Sequence, residues 1–115
     1  MNKEDKELYT EAMKRFGKPS QIEMLIEELA ELTLALQKFK RNPTQEKVRE
    51  VCDEMADVEI MLDQNKLIFS EKEIQDRKMF KLNRLRVTLS DTMYLKYQMD
   101  EQSLEESLKE KPEVE

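Results

Sequence analysis

With one glycine and three prolines in 115 residues, this chain lacks the punctuation that a sandwich or barrel needs at its repeated tight turns. The same scarcity removes both common Gly-rich phosphate loops, which need several glycines where backbone meets phosphate. Histidine is absent and cysteine occurs once, so neither an internal disulfide nor a zinc site of the usual thiolate and imidazole kind can form. Cys52 is expected as a reduced thiol in the core. Long apolar runs are missing too, and residues 1–7 are too acidic and polar for a secretory or transit peptide. The expected compartment is the cytoplasm.

What is abundant is charge: 40% of residues are charged against 38% hydrophobic. At this length that leaves room for one domain with a thin core, which favours sharing apolar surface with another copy. The 26 acidic and 20 basic residues give a net charge of -6, which disfavours attraction to a nucleic acid polymer or an anionic membrane. The spacing predicts an all-α chain of four to five helices. A first helix spans residues 4–15 and stops at Gly17. The second spans residues 19–41, with Pro19 in its first turn and Ile22, Leu25, Leu29, Leu32, Leu36 and Phe39 at helical spacing. Ile26, Ala30 and Leu34 widen that apolar surface, so this helix must be covered on more than one side.

Asn42-Pro43-Thr44-Gln45 reads as an N-cap, a proline at the first helical position and a glutamine three residues after the cap. The third helix follows it to about Leu67, with Val48, Val51, Met55, Val58 and Leu62 as its packing stripe. Ser70-Glu71-Lys72-Glu73 is a capping box that opens a fourth helix carrying Ile74, Leu82, Leu85 and Leu89, with its end expected at Ser90-Asp91. Residues 1–92 are read as the helical domain and residues 93–115 as a short helix followed by an acidic, partly disordered tail.

Four carboxylates stand where the helical wheel expects apolar side chains. At about 100° per residue, Glu28 projects between Met24, Leu25 and Leu32, with Glu31 at the edge of the same stripe. Glu54 falls beside Val51 and Val58, and Asp57 lies three residues on. One such pair would read as a solvated face; two pairs on consecutive helices, both at the apolar stripe, point elsewhere. If those helices pack antiparallel, the pairs converge into a cluster of four anions that requires cations. All-oxygen ligation selects a hard ion, Mg²⁺ first and Mn²⁺ as a substitute. A di-iron centre of the Glu-x-x-His kind is excluded by the lack of histidine.

Glu27-Glu28-Leu29-Ala30-Glu31, followed by Glu54-Met55-Ala56-Asp57, resembles the paired motif of the MazG-like all-α nucleoside triphosphate pyrophosphohydrolases. The flanking Leu25-Ile26 and Val58-Glu59-Ile60-Met61-Leu62 are also similar, and the likeness runs from about residue 21 to residue 89. The resemblance implies an oligomeric helical bundle, a homodimer or dimer of dimers. It also implies cleavage between the α and β phosphates to a monophosphate and pyrophosphate, with Mg²⁺ held by Glu28, Glu31, Glu54 and Asp57.

Glu27, on the flank of the metal stripe, is the candidate to orient or deprotonate the attacking water, or else a surface residue in a polar helix or a support for another ligand. Between Lys72 and Arg86 the chain turns basic, with six cations and two acids. Lys78, Lys81 and Arg84 form a strip that either meets the phosphates or serves as a solvated face complementing the acidic helices. Gln21 is the remaining substrate-binding candidate, while Tyr9 and Phe16 are expected in the core rather than stacked on a base. The alternative to an enzyme is a non-catalytic helical interaction module whose broad apolar second helix binds a partner protein.

Overall fold

A computed structural model describes residues 1–90, which form four helices and no strand. The helices are α1 (Lys3–Phe16), α2 (Lys18–Arg41), α3 (Gln45–Lys66) and α4 (Glu71–Ser90). The expected short fifth helix and acidic tail lie outside the described residues. No helix among the described residues is long and apolar enough to cross a membrane.

Local chemistry sets each boundary. Asn2 opens α1 by accepting the Asp5 amide proton on its side-chain oxygen at 2.8 Å. Gly17 then serves two helices: its N–H closes α1 on the Met13 carbonyl at 2.9 Å, and its own carbonyl accepts the Gln21 N–H of α2 at 3.1 Å. Its backbone, at φ 84° and ψ 157°, lies in a region essentially reserved for glycine. Only one atom, Pro19 Cδ at 3.9 Å, is near the place a Cβ would occupy, so the requirement is one of backbone conformation and not of space.

The start of α3 differs from the sequence expectation. Thr44, in extended conformation, is the N-cap and accepts the Lys47 N–H on Oγ1 at 3.2 Å. Asn42 is already committed as the cap of α2, its N–H bonded to the Lys38 carbonyl at 3.0 Å, so Pro43 is a spacer between two caps. α3 ends at Lys66, and α4 begins directly after Ser70, where the capping sequence placed it.

The main packing pair is α2 against α3, with α1 touching both. Gln21 meets Asn65, Glu28 meets Asp57 and Glu31 meets Glu54, positions that advance along α2 while they retreat along α3, so the two helices run antiparallel. The buried set is small: Tyr9, Ala35, Val58 and Met61, with the polar Gln21 and Asn65 at 1% and 3% exposed. On α2, Gln21 and Ala35 are separated by two seven-residue steps, and Glu28 lies midway on that stripe. On α3, Val58, Met61 and Asn65 continue a line that starts at Glu54, one turn earlier.

Asn65 fastens the end of the pair remote from the connection. Its Nδ2 donates to the carbonyls of Gln21 at 3.1 Å and Met61 at 2.8 Å. Among the described residues Ile26, Leu29, Leu34 and Leu36 of α2 are all exposed. Cys52 is exposed as well, contrary to the expected core thiol, because it points away from the Val58–Met61 line of α3.

α4 falls in a separate compact unit. None of its residues is buried, although it carries Met79, Phe80, Leu82, Leu85, Val87 and Leu89. Local pairs support it: Lys72 to Asp76 at 2.8 Å, Arg86 to Asn83 at 2.7 Å, and the Arg77 guanidinium 4.9 Å from the centroid of the Phe80 ring.

Candidate metal centre

The antiparallel seam brings acids from both helices to one place. Glu28 of α2 and Glu54 and Asp57 of α3 each present a carboxylate oxygen within 4.8 Å of the others. Two ligand oxygens of a single octahedral Mg²⁺ lie at most about 4.2 Å apart, twice its ~2.1 Å bond length, so small side-chain adjustments would suffice for a shared ion. Glu28 and Glu54 are half-buried and Asp57 is exposed, which leaves the cluster one open side.

One oxygen each of Glu28 and Glu54 is buried without a hydrogen-bond partner. A carboxylate in that condition is costly to ionise. Burial is the main cause that raises the Glu28 pKa above its ordinary value, followed by the charges of Asp57, Glu31 and Glu27. Glu54 is raised in the same direction, by burial first and then by Glu31, Asp57 and Glu28. No lysine or arginine pairs with either carboxylate among the described residues. The donor set is all oxygen, anionic and short of positive charge, and it fits a hard divalent cation.

The other sequence candidates fall in different places. Glu31 is exposed and outside the three-residue group, yet its charge acts on both Glu28 and Glu54. Glu27 is exposed on the flank of α2, where its charge also reaches Glu28. Gln21 is fully buried, two turns before Glu28 on the same stripe, and its Oε1 lacks a partner, as does Oδ1 of the neighbouring Asn65. Lys78, Lys81 and Arg84 are exposed on α4 and make no ion pair among the described residues. Tyr9 is buried as expected, while Phe16 is 59% exposed.

Next to the carboxylates is a concavity of about 240 Å³ lined by Glu31, Leu34, Ala35, Lys38, Glu50 and Glu54. Lys38 and Glu50 were not singled out by the sequence. The signal was present: Lys38 lies two turns after Glu31 and Glu50 one turn before Glu54, on the faces that carry the motif. It was masked because Lys38, with Lys40 and Arg41, belongs to the basic last turn that complements any helix dipole. No family model, curated protein or solved structure matches this chain.

Proposed function

We propose that the protein is a Mg²⁺-dependent nucleoside triphosphate pyrophosphohydrolase that releases a nucleoside monophosphate and pyrophosphate, in nucleotide-pool control or the removal of non-standard nucleotides. One observation carries this reading: two half-buried carboxylates from facing helices, each with an unpartnered buried oxygen, converge with Asp57, and among the described residues no cation pairs with them. The likeness of the two acid motifs to the MazG-like pattern supplies the reaction class.

In this reading Glu28, Glu54 and Asp57 hold the ion, and Glu31 joins them from the exposed edge of α2. When bound, Mg²⁺ neutralises phosphate oxygens and makes water acidic enough to attack near neutral pH. Glu27, exposed and outside the ligand group, is assigned in this reading to orient or deprotonate the attacking water. The resemblance leaves Lys78, Lys81 and Arg84 as candidate phosphate-binding cations, and in this reading the exposed apolar face of α2 is covered by a second copy in a homodimer or dimer of dimers.

The rival reading, a non-catalytic interaction module, draws on the exposed apolar residues of α2 and α4. Incubation with Mg²⁺ and a panel of canonical and damaged ribo- and deoxynucleotides separates the two. Monophosphate and pyrophosphate are expected as products; orthophosphate with a diphosphate would reject α-β cleavage, and no turnover on any member favours the module.

A further inference from the structure

We propose that the concavity beside the carboxylate cluster is the subsite for the terminal diphosphate of the substrate and that Lys38 is the residue that binds it. This rests on the pyrophosphohydrolase reading and adds to it a substrate polarity along the α2–α3 seam.

The concavity adjoins the place where a metal-bound phosphate would sit, because Glu31 and Glu54 belong to both surroundings. Its volume of about 240 Å³ leaves room for a hydrated diphosphate group. Leu34 and Ala35 contribute apolar lining, and Lys38 is the only cation among the lining residues. Although three carboxylates line the same space, the Lys38 ammonium makes no ion pair among the described residues. Glu50, by contrast, is engaged by Lys47 at 3.5 Å.

Direction along the helix supports the same assignment. Lys38 lies seven residues beyond Glu31, about 10 Å along the axis. Side chains on a helix lean toward its N-terminus, so the flexible four-carbon stem of Lys38 is directed back toward the carboxylates. A diphosphate lying between them would meet the cation that the carboxylates would hold at one end and the Lys38 ammonium at the other. The nucleoside then extends the opposite way, toward the Gln21 end of the seam.

Calorimetry on the full chain tests this without turnover, using Mg²⁺ alone and then inorganic pyrophosphate in saturating Mg²⁺. Lys38→Met is expected to weaken pyrophosphate binding about tenfold or more, the scale of one lost charge-assisted contact, and Lys38→Arg to retain most of it. Mg²⁺ affinity should stay within about twofold in both variants, and Lys40→Met, on another face of the same turn, should change neither ligand by more than about twofold. Equal losses in Lys38→Met and Lys40→Met, undiminished binding in Lys38→Met, or a wild-type chain that binds Mg²⁺ but no pyrophosphate would each overturn the subsite. A wild-type chain that binds no Mg²⁺ would instead remove the pyrophosphohydrolase reading on which it rests.

Discussion

Glu28 and Glu54 put the tension between folding and chemistry into two side chains. Both carboxyls have pKa values raised above the ordinary 4.5, so the folded state binds protons more tightly than the unfolded chain. Their contribution to stability is therefore most favourable below about pH 4.5 and is lost as the pH rises through the raised values. Glu28→Gln removes the charge but keeps the shape. In chelator its thermal midpoint at pH 7 should equal or exceed that of the wild type, with the gap closing toward pH 4.5. Mg²⁺ should stabilise the wild type, by about 2.7 kcal/mol at a hundred times its dissociation constant, and the variant far less. Turnover should fall about a hundredfold or more, and Asp57→Asn should behave alike. A Glu28→Gln enzyme that retains full activity would remove the metal assignment.

At the scale of elements, two short joints set the helix boundaries. Gly17 adopts a backbone that other residues reach only with strain, so Gly17→Ala should cost about 1–3 kcal/mol even though space for the methyl group exists. Thr44→Ala removes the oxygen that accepts the Lys47 N–H and should cost about 0.5–2 kcal/mol. Urea unfolding of both variants checks these values; a neutral Thr44→Ala would show that another group had replaced the cap. The α3 start also shows where local reading fails. Asn42 and Thr44 are both capping residues flanking Pro43, and the choice between them depended on Asn42 being used by the preceding helix.

On the scale of the whole molecule, the apolar side chains outnumber the places to bury them within the described residues. Ile26 is 57% exposed and Val87 63%, and similar residues recur along α2, α3 and α4. With so few buried hydrophobic residues among the described ones, the proposed second copy would cover those faces. Sedimentation at micromolar concentration is expected to give a species of at least twice the chain mass. If the proposed reading holds, dilution that releases monomer should lower both thermal stability and the proposed pyrophosphohydrolase activity, since the proposed interface shares α2 and α3 with the carboxylates. A stable, active monomer would overturn the proposed assembly.

The amino-acid sequence alone determined the helical class, the approximate limits of α1–α4 and the misplaced acids at residues 28, 31, 54 and 57. All of these follow from chemistry within a turn or two of each residue: caps, a lone glycine, and periodicity of polar and apolar side chains. Which acids face one another was decided by the antiparallel register of α2 and α3. It closes Glu28 on Glu54 and Asp57, leaves Glu31 at the edge, and buries Gln21 against Asn65. Exposure of Cys52 and the presence of Lys38 beside the carboxylates were settled by the same packing. A helical wheel specifies an angle about one axis, whereas a site depends on the offset between two, and that offset is fixed only when side chains from both helices pack into one seam.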